Sequence, residues 1–313
     1  MNNPSPALVL DGVTKRFDDF TAVNDLSLTV RPGRIYGLLG PNGAGKTTTI
    51  RMIVNITIPD EGKVELFGRT MNAELQDRIG YLPEERGLYK KMKVGEQLRF
   101  FGEMKNMSGR DADAAATRWL ERMKLSDWRM KKTDELSKGM QQKVQFIATV
   151  MHDPELVVLD EPFSGFDPVN AQLLKEIVLE LKSANRAIIF STHMMEQAEQ
   201  MCDDICLINR SRKVLEGSIR EVKSRFGVGA VALRAEGGDV ERVLSDTTLI
   251  SNVKHASDHL EVKLMPGTDA QELLRRLLAS NANVTRFELV EPSLQEIFIS
   301  QVGESEAERE ASR

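Results

Sequence analysis

The stretch Gly40-Pro41-Asn42-Gly43-Ala44-Gly45-Lys46-Thr47 decides the fold. It has the spacing G-x-x-x-x-G-K-[ST]. In that pattern glycines let backbone N–H groups close on phosphate oxygens, the lysine reaches the β- and γ-phosphates, and the hydroxyl meets magnesium. A glycine-rich turn ahead of a helix is, alone, only a turn. The flanks give it meaning: Ile35-Tyr36-Gly37-Leu38-Leu39 reads as a buried strand entering the loop, and Lys46 to Asn55 as the helix leaving it. The loop, continued to Thr48, is the expected triphosphate cradle, with the helix dipole adding to it.

Outward from the loop, Leu156-Val157-Val158-Leu159 is a second buried strand that ends in Asp160-Glu161. A carboxylate at the carboxyl end of such a strand is placed to hold magnesium, and the next one to polarise a water as general base. Strand and helix then alternate: helix Val169 to Ser183, strand Ala187 to Ser191, helix Met194 to Cys202. Short strands over Leu8–Leu10, Thr21–Val23 and Leu26–Val30 precede the loop, and 94–151 reads as a helical insert. The fold class expected is α/β: a phosphate-loop NTPase with a mainly parallel sheet, antiparallel N-terminal strands and a helical insert.

After Ser224 to Gly229 the pattern shortens into a small α+β unit. The domains expected are 1–226 and 227–302, with a disordered tail over 303–313. No second phosphate loop and no internal repeat occurs.

Composition narrows the class. Among 313 residues, 42 basic against 47 acidic side chains leave a net charge of −5, which argues against a generic grip on nucleic acid. No segment approaches the roughly 20 apolar residues of a membrane span, and Met1 to Pro6 has no signal-peptide character. A cytoplasmic location follows as the expectation. Cys202 and Cys206 are four apart, a spacing that on a helix would face them the same way; they read as reduced, packed thiols. His255 and His259 share that spacing in a strand–turn–strand setting, not a metal-binding one.

Together these motifs resemble the ATP-binding subunits of ABC transporters over Ala7 to Lys223. Leu136-Ser137-Lys138-Gly139-Met140 is similar to the LSGGQ signature, Ser164-Gly165-Phe166-Asp167 to the D-loop, and His193 to the switch histidine at the γ-phosphate. Phe17 stands where that family places an adenine-stacking ring. The resemblance implies ATP and Mg2+ as cofactors and ATP hydrolysis, with Glu161, His193 and Lys46 catalytic. It also implies that Ser137, Lys138, Gly139 and Met140 act on nucleotide held by a second ATPase subunit, most simply a second copy. An integral membrane permease would dock beside the helical insert, near Leu88, Tyr89 and Met92, with this chain peripheral on the cytoplasmic face.

Tyr81-Leu82-Pro83-Glu84-Glu85 and the closing Glu291-Pro292-Ser293-Leu294-Gln295-Glu296-Ile297-Phe298 resemble bacterial sodium-extrusion and multidrug-type exporters. A soluble ABC ATPase of ribosomes or nucleic acid is the alternative; one ATPase unit per chain and no coiled coil weigh against it. One departure matters. Glu84 stands where the family has glutamine, and an ionised carboxylate only accepts hydrogen bonds. At about 4 Å from a phosphate charge and an effective dielectric near 20, the repulsion is roughly 4 kcal/mol. Glu84 is therefore expected either to join Thr47 and Asp160 as a magnesium ligand or to point away.

Overall fold

The computed structural model describes residues 5–85, 87–226, 230–256, 258–265 and 267–301. In chain order its elements begin with β1 (Leu8–Phe17), β2 (Phe20–Val30), β3 (Ile35–Leu39), α1 (Lys46–Ile53), β4 (Glu61–Leu66), β5 (Arg69–Thr70) and β6 (Ile79–Leu82). The insert supplies α2 (Val94–Met104), α3 (Gly109–Arg122) and α4 (Lys138–Val150). Then come β7 (Leu156–Asp160), α5 (Pro168–Ser183), β8 (Ala187–Thr192), α6 (Met195–Met201), β9 (Asp204–Asn209), β10 (Arg212–Ser218) and α7 (Ile219–Arg225).

The central sheet runs β10-β9-β3-β8-β7-β6, with parallel registers at β3/β8, β3/β9, β6/β7 and β7/β8. Its inner strands β3, β7 and β8 are buried along their whole length because both faces are covered, and they are largely apolar until the polar residues at the carboxyl ends of β7 and β8. Strand alternation divides them: Leu156 and Val158 face one core with Ile50 and Ile53 of α1, while Val157 and Leu159 face another with Val144 and Ile147 of α4. A second sheet, β2-β1-β4-β5, is antiparallel. The short strands expected before the loop are one long hairpin. Register shifts along β1, between Leu10 and Arg16, interrupt the alternation by which a continuous strand is read.

The insert carries its three helices, with Ser108 and Ser137 as N-caps of α3 and α4. It is not wholly helical: 3-10 turns at Ser126–Trp128 and Thr133–Glu135 join α3 to α4, and a bridge between Lys93 and Lys132 ties that connection to the start of α2. α1 stops at Ile53 rather than Asn55, which turns left-handed at φ 60°.

Contacts divide the chain between Gly217 and Ser218, nine residues ahead of the expected 226/227. α7 thus falls in the second unit, its start fixed by a capping box of Ser218 with Glu221. The second unit continues with β11 (Ala230–Glu236), α8 (Val240–Leu244), β12 (Ile250–His255), β13 (Leu260–Leu264), α9 (Ala270–Ala279), β14 (Asn283–Val290) and a helix over 294–301. Its sheet, β12-β13-β11-β14, is antiparallel and packs Val231, Leu233 and Val262 against Leu273 and Leu277 of α9. The tail expected over 303–313 lies outside the described residues.

The two cysteines do not share a helix. Cys202 ends α6 and Cys206 lies in β9. Both are free thiols, and burial pushes both up, Cys206 to about 12.

Candidate nucleotide site

β3 delivers the glycine loop to the carboxyl edge of the sheet, and α1 leaves from it. Gly40 and Gly45 are required there. A Cβ on Gly40 (φ 151°) would stand 2.1 Å from the Ile208 carbonyl oxygen, and one on Gly45 (φ 112°) 2.4 Å from that of Ala22. α1 has no side-chain cap and no acid in its first turn, which suits its N-terminus to an anion. Lys46 is 6% exposed, and its amine donates to the carbonyls of Gly40 (2.8 Å) and Pro41 (3.1 Å). Burial lowers its pKa, against the opposing pull of Glu161, Asp160 and Glu84.

Asp160 closes β7, 2% exposed. The Thr47 hydroxyl donates to its Oδ2 at 3.3 Å, and its Oδ1 is buried without a partner. Burial pushes this carboxyl up, with the like charges of Glu84 and Glu161 adding to that and the nearby hydroxyls of Ser191 and Thr47 opposing it. Among the described residues no three acids or imidazoles converge as a metal cluster; Asp160 and the Thr47 hydroxyl are two oxygen donors of the kind magnesium takes when water and phosphate supply the rest. The residues present therefore fit magnesium.

Glu161 follows with left-handed backbone, φ 49°. Its Oε1 accepts the His193 backbone N–H at 2.9 Å and lies 2.7 Å from His193 Nδ1, while its Oε2 accepts the Thr192 hydroxyl at 3.1 Å. The carboxylate of the candidate base is thus oriented from the end of β8 by three groups. Thr192 went unassigned in the sequence, although it sits between Ser191 and His193.

A cavity of about 300 Å³ gathers Asn42, Gly43, Gly45, Lys46, Thr47, Thr48, Glu84, Asp160 and Glu161, with Phe20 and Ala22 at the hairpin side. Glu84, an exposed residue, lines this cavity together with Thr47 and Asp160. The remaining expected residues stand apart from its walls. Ala44 is a core residue, 2% exposed. Gly40 and Pro41 contribute the carbonyls that Lys46 holds, and His193 contacts Glu161 rather than the cavity. Phe17 is half-exposed, pairs with Phe20 across the hairpin and carries Lys15 Nζ 5.5 Å from its ring centre. Phe20, not Phe17, lines the cavity, and no sequence signal separated the two rings.

The signature lies outside this cavity. Ser137 Oγ accepts the Met140 N–H at 3.3 Å; Ser137 and Lys138 are exposed, and Gly139 and Met140 half-buried. Among the D-loop residues Ser164 and Gly165 are exposed. Asp167 caps α5 by accepting the N–H groups of Val169 and Asn170, both at 3.0 Å, which hold its carboxyl below the usual range.

A second cavity, of about 470 Å³, lies between β6 and the insert. Tyr81, Pro83 and Leu88 form one wall, Phe101 and Met104 another, and Gln145, Ala148 and Thr149 of α4 a third.

Residues 23–164 match the ABC transporter family, and 217–302 match the C-terminal domain of ATP-binding protein DrrA1-3-like chains. The chain is 44% identical over 296 residues to the uncharacterised ABC transporter ATP-binding protein YhaQ of Bacillus subtilis, covering 95% of this chain and 98% of that one. It belongs to the ATP-binding subunits of ABC transporters. This ABC subunit is also 38% identical to a Nod factor export ATP-binding protein I of Burkholderia lata, over 71% of its length and 74% of the relative's. A solved ATP-binding subunit of an ABC transporter superposes on it with a TM-score of 0.67 at 27% identity, over 71% of this chain and 93% of that one. The ABC subunit thus binds ATP on an ABC cassette. Among its described residues no helix is long and apolar enough to cross a membrane.

Proposed function

We propose that this chain hydrolyses ATP to drive an export permease from the cytoplasmic face of a membrane. The observation that carries the reading is the fixed triplet of Glu161, Thr192 and His193 beside the Thr47–Asp160 pair. Lys46 would turn its amine from the loop carbonyls to the β- and γ-phosphates, and the first N–H groups of α1 would hold the phosphate oxygens. Thr47, Asp160 and Glu84 would hold magnesium, which when bound supplies Lewis-acid neutralisation of phosphate charge. Glu161, oriented by Thr192 and His193, accepts the proton of the attacking water. Adenine is received by the hairpin rings, Phe17 or Phe20.

Because Ser137, Lys138 and Gly139 lie outside the chain's own cavity, they are free to complete that of a second copy. Ser164, Gly165 and Asp167 are proposed to line the same junction. The groove beside the insert suits a short helix of the permease. Relatives with names such as Nod factor export and linearmycin resistance support an exporter.

The deciding experiment is purification of Glu161→Gln from detergent-solubilised membranes. The reading expects ATP binding without turnover, an ATP-dependent dimer and a co-eluting integral membrane protein. Normal turnover with a monomer throughout would refute it.

A further inference from the structure

α4 connects the two cavities. Its Gln145 lines the groove beside the insert and is 6% exposed. The same side-chain amide donates through Nε2 to the Pro83 carbonyl at 3.4 Å and the Glu85 carbonyl at 3.2 Å. Those two carbonyls stand on either side of Glu84, whose side chain lines the nucleotide cavity with Asp160. One turn on, the single proton of the Thr149 hydroxyl is shared between the Gln145 carbonyl at 3.0 Å and the Tyr81 carbonyl at 3.2 Å, at the strand from which that loop departs. A glutamine amide has two N–H donors and can bridge two carbonyls at once, which an apolar side chain of equal volume cannot.

We infer that Gln145 is a positioning residue: by holding the peptide on both sides of Glu84 it sets where that carboxylate stands beside Asp160 and Thr47. The grip is local and polar, while the packing of α4 is carried by Val144, Phe146, Ile147 and Val150 on other faces. Removing the amide should therefore release the loop without unseating the helix.

The test uses the full chain and a fluorescent ATP analogue, with excess magnesium chloride and with chelator. Wild type, Gln145→Leu, Glu84→Gln and the double variant are compared. Gln145→Leu is expected to reduce the magnesium-dependent gain in affinity by about fivefold, and the double variant to be no worse than Glu84→Gln alone, as coupled residues behave. Affinity with chelator and the melting temperature should stay near wild type. Equal losses with and without magnesium, or effects that simply add, would show a merely structural residue and overturn the inference.

Discussion

Glu161 and Thr192 are joined across neighbouring strands: the Thr192 hydroxyl donates to Oε2 at 3.1 Å, while His193 holds Oε1. Each oxygen of the candidate base is thus held by the strand next to its own. Thr192→Val keeps the branched shape and removes the donor. Turnover should fall about tenfold or more, in the range that positioned acid–base groups contribute, with ATP affinity within a factor of about two. Steady-state kinetics beside equilibrium binding will show it, and an unchanged turnover number would dismiss Thr192.

The two hairpin rings make separable claims on adenine. Stacking of a base on an aromatic ring contributes about 1–3 kcal/mol, so losing the true partner should weaken ATP roughly 5- to 150-fold and leave inorganic triphosphate unaffected. Phe17→Ala tests the family position, and Phe20→Ala the ring that lines the cavity. Titration of both variants with both ligands assigns the contact; two silent variants would remove the hairpin from base recognition.

Gly139 has nothing within 4 Å of where a Cβ would be placed. Gly139→Ala should therefore fold and melt as wild type, and bind ATP as a monomer normally. If the signature closes on a partner's triphosphate, the added methyl sits at that junction, and ATP-dependent dimerisation should weaken about tenfold. Sedimentation with ATP and the Glu161→Gln background measures it. Unimpaired dimers would remove Gly139 from the interface.

Asp160 bears a charge that the protein itself leaves half-satisfied, with Oδ1 buried and unpartnered. Asp160→Asn removes that charge, so with chelator the variant should melt a few degrees higher than wild type. Magnesium with ATP should stabilise wild type strongly and the variant little. Calorimetry with and without magnesium checks both, and equal stabilisation of the two proteins would end the ligand assignment.

His152 sets a pH dependence of stability. Burial first, and then the Lys105 charge, lower it from 6.5 to about 4, while Nε2 sits 3.2 Å from the Ile79 carbonyl. The folded pKa is depressed, so its stabilising share is intact above 6.5, where both states are neutral, and is lost as pH falls toward about 4, where the unfolded chain gains a proton first. The loss over that window is roughly 3 kcal/mol. Urea unfolding of wild type should show it, and His152→Gln should flatten the curve; parallel curves would place the titration elsewhere.

The central fold was legible because its signals are local. An apolar run such as Leu156 to Leu159 needs two covered faces, and the glycine spacing from Gly40 to Gly45 admits few backbones. Thr47, Asp160 and Glu161 followed from that frame. What stayed hidden depends on distance in the chain. Phe17 and Phe20 differ only by which side of a bulged hairpin they occupy. Thr192 reaches Glu161 only once β7 and β8 are neighbours, and Gln145 meets the Glu84 loop only after the insert has folded back. Ser218 is an ordinary residue until its side chain caps α7, so the start of that helix was not read.

The amine of Lys46, tethered to the carbonyls of Gly40 and Pro41, acts as an internal strut. The arch of the phosphate cradle is supported by the side chain that the guest will recruit. Arrival of a triphosphate is then a swap of acceptors by one ammonium group, with little of the backbone left to order, and capture should run at a rate set by encounter rather than by folding of the loop.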